Sequence, residues 1–195
     1  MRKFTACVVA LLMGVMGARY CWLIVAGGVQ PALATWLIFE VAVVLSLTSY
    51  FATNDSDWVS NIANTVDSVT VTAILGTLIL FGDGREWQFG RVEIGCLVAA
   101  GGIVVFWRVS RNAMAANLAI QTIMVAAYVP TLVRLWHSPE NTESFGVWLV
   151  FWLAAALAVY PAFSRPNILA RVYALRAFGM TTLLLALMLR AELKM

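Results

Sequence analysis

Long apolar runs cut by short polar breaks dominate this chain, and they decide which solvent it can fold in. A hydropathy window of about 19 residues marks apolar spans at 4–25, 34–52, 60–81, 92–109, 113–136, 145–163 and 168–190. A helix needs about 20 mostly apolar residues to cross a bilayer, so each run is read as one spanning helix. The breaks carry turn chemistry: Gly27-Gly28 with Pro31, Asn54-Asp55-Ser56-Asp57, Gly82-Asp83-Gly84-Arg85-Glu86, and the polar stretches 108–112, 137–144 and 164–167. Strands are implausible, because the runs lack period-2 alternation and an open sheet cannot satisfy its backbone in lipid. Composition agrees. Hydrophobic residues are 62% and charged residues 12% of the chain, against roughly 45–50% and 25% in soluble domains, and the mean hydropathy is +0.86. The expectation is an all-α, polytopic membrane protein: a single membrane domain over 1–195, with no room for a soluble catalytic domain.

The first span imitates a signal peptide, with Arg2-Lys3, an apolar stretch over 4–16 and small residues at Gly17-Ala18. Apolar character resumes at once through 20–25, so a retained first helix is expected. The tally of Lys and Arg at the two faces does not orient the chain. Arg2, Lys3, Arg108, Arg111, Arg165 and Arg171 fall on the N-terminal side, and Arg85, Arg91, Arg134, Arg190 and Lys194 on the other.

Catalytic and cofactor chemistry finds no footing. His137 is the single histidine and lies in a break, so neither a triad nor a histidine-rich metal site can be assembled. Gly82-Asp83-Gly84 lacks the lysine and strand context of a phosphate loop. Cys7, Cys21 and Cys96 have no paired spacing and read as small buried hydrophobes. A net charge of +3 is too weak a bias for nucleic acid. The chain is expected to be no enzyme, with no cofactor and no metal.

An internal repeat is suggested by Thr35-Trp36-Leu37-Ile38-Phe39-Glu40 in the second span and Val147-Trp148-Leu149-Val150-Phe151-Trp152 in the sixth, offset by 148 − 36 = 112 residues. The same offset lays the first span on the fifth and the third on the seventh, leaving the fourth unpaired. The arithmetic is three, one and three: repeat one over 4–81, a linker helix over 92–109 and repeat two over 113–190. One linker helix makes the two triple-helix units parallel repeats.

The stretch Ala127-Tyr128-Val129-Pro130-Thr131-Leu132-Val133-Arg134-Leu135-Trp136, with Ser138-Pro139-Glu140 after it, resembles the proline-kinked helix of PQ-loop proteins. Gly28-Val29-Gln30-Pro31 leading into Thr35-Trp36-Leu37-Ile38 is similar too. Over nearly its whole length the chain resembles the bacterial seven-span relatives of SWEET and SemiSWEET transporters. It departs where the family pattern has Pro-Gln, with Pro130-Thr131 in one repeat and Ala18-Arg19 in the other, and it has no tryptophan over 45–50 or 155–160. The resemblance implies a bacterial inner membrane and transport by alternating access, and it makes Asn64 of the third helix the first choice for a substrate contact.

Charges deep in apolar helices are costly, about 2.5–3.5 kcal/mol on insertion scales, and usually face the bundle interior with a partner. Arg19 lies 6 residues before the end of span one and Glu40 6 after the start of span two, each about 9 Å from one face. Asp67 and Arg176 lie 7 and 8 residues into spans three and seven, about 10–12 Å from the other face. Matching depth suggests ion pairs Arg19–Glu40 and Asp67–Arg176, as coupling sites or as locks on the fold. Arg19 and Arg176 can instead snorkel to the interface. Asn61, Asn64 and Ser68 form a polar stripe beside Asp67 at helical spacing, and Asn117 and Gln121 sit one turn apart on span five. Such groups either line a cavity or bond neighbouring helices. Pro130 is a candidate hinge.

Two functions are carried forward. One is a transporter or facilitator of a small polar solute, with Asn64, Asp67, Gln121, Trp148 and Asn117 at its site and membrane lipid around it. The other is a structural or accessory subunit that packs as a homo-oligomer or within a larger membrane complex.

Overall fold

The computed structural model of the chain describes residues 1–29, 31, 33–82, 90–137 and 143–193, apart from the side chains at 93, 130 and 134. These residues form seven helices, and no strand occurs among them: α1 Arg2–Val25, α2 Leu33–Phe51, α3 Ile62–Phe81, α4 Arg91–Ser110, α5 Ala113–His137, α6 Phe145–Phe163 and α7 Ile168–Glu192. Among the described residues, α1, α2, α3, α5, α6 and α7 are long and apolar enough to cross a membrane. In α4, where the side chain at 93 lies outside the described residues, the described apolar stretch is Ile94–Ser110. Of the seven expected spans, six are candidate membrane-spanning helices among the described residues and the seventh, α4, is an apolar helix between them. Large apolar side chains such as Leu11, Val15, Leu80, Val98 and Val109 stand exposed on the outer helix faces, a surface that suits lipid and not water.

Helix ends follow local chemistry. Gly27, at φ +69°, closes α1 in a Schellman turn, with Gly28 N–H on the Leu23 carbonyl at 2.8 Å and Gly27 N–H on that of Ile24 at 3.1 Å. Asn167 caps α7 by accepting from the Ala170 N–H at 3.0 Å. Small residues let helices approach closely, as membrane packing favours. A Cβ on Gly17 of α1 would lie 2.8 Å from Cγ2 of Thr70 on α3.

α1 packs on α3 and α6; α2 on α3, α4 and α5; α5 on α4 and α7; and α6 on α7. Slimmer contacts join α3 to α6 and to α7. At the face where α1 begins, Asp57 in the α2–α3 turn ties three segments together. Its Oδ2 meets Arg2 Nη1 at 2.8 Å, Arg165 Nε at 3.9 Å and the donating Ser60 hydroxyl at 2.7 Å. Partial burial works to raise this carboxyl, but the Ser60 hydroxyl, Arg2, the Val59 N–H and Arg165 together hold it below the usual aspartate range. Tyr50 closes the knot: its hydroxyl donates to the Asp57 carbonyl at 3.0 Å and accepts from the Asp57 N–H at 2.9 Å and Asn167 Nδ2 at 3.1 Å.

Candidate substrate cavity

A cavity of about 70 Å³ lies in the middle of the bundle, with walls from every helix except α4. Its aromatic side is Trp36, Phe39, Tyr128, Trp148 and Phe151, and its charged side is Asp67 and Arg176. At roughly 10–15 Å³ per water, it holds about five waters.

The two charges share the cavity without forming the ion pair that their depths suggested, since no nitrogen–oxygen distance between them is within 4.0 Å. Tyr173 takes the place of that bond. Its hydroxyl donates to Asp67 Oδ2 at 2.6 Å, and the Arg176 guanidinium lies 4.5 Å from its ring centroid. Arg176 Nε donates to Gln121 Oε1 at 3.0 Å. Arg176 Nη2 is buried and donates to no group among the described residues.

The second expected pair is also corrected. Arg19 is exposed, with its guanidinium 5.8 Å from the Trp22 ring centroid, while Glu40 accepts from the Thr72 hydroxyl of α3 at 2.9 and 3.1 Å. Their depths match, but α1 packs on α3 and α6 rather than on α2, so the two side chains face different neighbours.

The amides come together, though not on the cavity. Asn64 and Asn117 are each 1% exposed and Gln121 5%, and all three converge on Ser46 of α2. Asn64 Nδ2 and Gln121 Nε2 each donate to Ser46 Oγ at 3.0 Å. Asn117 Nδ2 donates to the Ser46 carbonyl at 2.6 Å and to Ser49 Oγ at 2.9 Å. None of the three is in the cavity wall. Their donor nitrogens are spent on helix–helix bonds between α2, α3 and α5, while Asn64 Oδ1 is buried with no hydrogen-bond partner among the described residues. Only through Gln121, which holds Arg176, do they touch the cavity chemistry. Of the expected contacts, Asp67 and Trp148 do line it. α5 continues as helix past position 130, and the Pro130 side chain lies outside the described residues.

A second cavity of about 20 Å³ sits toward the opposite face, lined by Tyr20, Pro31, Thr35, Thr131, Glu143 and Leu184 together with Trp36, Phe39, Tyr128 and Trp148. These four aromatics belong to both cavities and separate them. Tyr20 and Trp36 pack at 5.5 Å between centroids, and Phe39 and Tyr128 at 4.9 Å. Glu143 Oε2 accepts from the Tyr20 hydroxyl at 2.9 Å and from Trp148 Nε1 at 3.2 Å.

Sequence reasoning missed Tyr173, Ser46, Tyr20 and Glu143. A tyrosine one turn before a buried arginine was a usable signal for the first. A lone serine in an apolar helix gives little, and Glu143 fell in what read as a polar break. No family model matches the chain, and no curated protein or solved structure is significantly similar to it.

Proposed function

We propose that the chain carries a small polar solute across the membrane, with the central cavity as its site. The observation that carries this reading is an aromatic chamber among α1, α2, α3, α5, α6 and α7 that holds a carboxylate, Asp67, and a guanidinium, Arg176, not bonded to each other. Within that chamber Arg176 Nη2 is a buried donor with no hydrogen-bond partner among the described residues. The proposal keeps the chain a non-enzyme and an integral protein of a bacterial inner membrane.

The reading extends to architecture: two parallel three-helix units joined by α4, similar to the PQ-loop and SWEET-like arrangement. Supporting it, three main contacts map onto main contacts when α1, α2 and α3 are exchanged with α5, α6 and α7, although the slimmer α3–α6 contact has no α7–α2 counterpart of its size among the described residues. The contact α1–α3 becomes α5–α7, α2–α3 becomes α6–α7, and α1–α6 becomes α5–α2, each of which is a main contact. Trp36 and Trp148, partners under the 112-residue offset, both line the cavity. Alternating access would then move one unit against the other around a fixed site.

The accessory-subunit reading draws on the Ser46 cluster, whose amides are sealed between helices. Proteoliposome uptake of sugars, vitamins and amino acids separates the two. Transport predicts uptake of at least one solute that Asp67→Asn abolishes while the purified variant keeps its thermal stability. A screen with no uptake above empty liposomes would leave the accessory reading standing.

A further inference from the structure

Resting on the transport reading, we infer that the solute is a small zwitterion, an amino acid of the size of glycine or alanine, held by its carboxylate at Arg176 and by its ammonium between Asp67 and the aromatic wall. Arg176 has Nε committed to Gln121 and its ring stacking to Tyr173, which fixes the guanidinium and leaves Nη2 buried without an acceptor. A carboxylate is the acceptor that a guanidinium donor suits best. Asp67 has one oxygen, Oδ2, held by Tyr173, and an ammonium at Asp67 also faces Trp36, Phe39, Tyr128 and Trp148, the surface that favours cations.

Size and polarity narrow the class further. The cavity of about 70 Å³, against about 150 Å³ for one that takes benzene, suits only the smallest solutes. Glycine and alanine match that. A sugar is too large, and the wall offers it few hydroxyl partners. Thr181 bonds its own helix at the Ala177 and Phe178 carbonyls, which leaves Thr70 as the other hydroxyl threonine in the lining. A lone anion leaves Asp67 opposing it and a lone cation leaves Arg176 opposing it. A zwitterion answers both charges.

The test uses the purified full chain, with binding by calorimetry for glycine, alanine, propionate, ethylamine and glycerol, and proteoliposome entry of labelled glycine, alanine and glycerol. Glycine and alanine are expected to bind at least tenfold more tightly than propionate, ethylamine or glycerol, and to enter the vesicles. Arg176→Lys keeps the charge but not the fork, and is expected to weaken glycine at least tenfold with an unchanged melting temperature. Asp67→Asn is expected to erase the preference of glycine over propionate. If glycerol enters and binds while the amino acids do not, the zwitterion inference falls and the transport reading stands. If none of these solutes binds and no solute of the wider uptake screen enters, the cavity holds only internal water and both fall.

Discussion

Replacing Ser46 by alanine tests whether the amide cluster holds α2, α3 and α5 together. The variant keeps the volume nearly unchanged and removes the Oγ that accepts from Asn64 Nδ2 and Gln121 Nε2, each at 3.0 Å. Asn117 is spared, because it uses the Ser46 carbonyl and Ser49 Oγ. Interhelical hydrogen bonds in membranes average about 0.6 kcal/mol, so two lost bonds cost about 1.2 kcal/mol. Leaving a buried donor unsatisfied adds about 1–3 kcal/mol. Gln121 escapes that penalty because Asn117 Oδ1 lies 3.4 Å from its Nε2, but Asn64 Nδ2 has no other acceptor in the cluster. The expected total is about 2–4 kcal/mol. Reversible unfolding in mixed micelles measures it. A cycle with Asn64→Leu isolates the bond, since the double variant should lose about 1 kcal/mol less than the two singles added together. Stability of Ser46→Ala within about 0.3 kcal/mol of the parent, or an additive cycle, would refute the reasoning.

Other expectations follow from the same geometry. Gly17→Ala should destabilise by about 1–3 kcal/mol, as overpacking does, because its Cβ meets the stiff Thr70 Cγ2 at 2.8 Å; Thr70→Ser should restore most of the loss in the same unfolding assay. Asp57→Asn should cost about 1–2 kcal/mol at neutral pH by loosening Arg2 and Arg165. The folded-state carboxyl is depressed, so its contribution is present above the unfolded value of about 4 and is lost as pH falls through the folded one. The gap between parent and variant should therefore close on acidification below pH about 4, and a gap independent of pH would contradict the account. Tyr173→Phe keeps the ring under Arg176 but removes the donor to Asp67 Oδ2. It should lower solute uptake in proteoliposomes and, by leaving a buried carboxylate oxygen without its donor, cost about 1–3 kcal/mol of stability; unchanged uptake would detach Tyr173 from the site.

Element existence was legible because lipid leaves little choice: every apolar run of the right length became a helix, as with 60–81 against Ile62–Phe81 and 168–190 against Ile168–Glu192. The fourth run, 92–109, likewise matches Arg91–Ser110. Depth was legible too, and it brought Asp67 and Arg176 to one cavity. Neighbourhood was not. Hydropathy says how far in a residue lies, but not that α1 turns to α3 and α6 and away from Glu40. Rotation was equally hidden: Asn117 and Gln121 share a face as their spacing requires, and that face looks at Ser46 instead of the central cavity.

The four rings common to both cavities make the barrier between them one side chain thick. Under the transport reading, a solute passing from one cavity to the other meets these rings first, and Trp148 among them is also held through its indole nitrogen by Glu143.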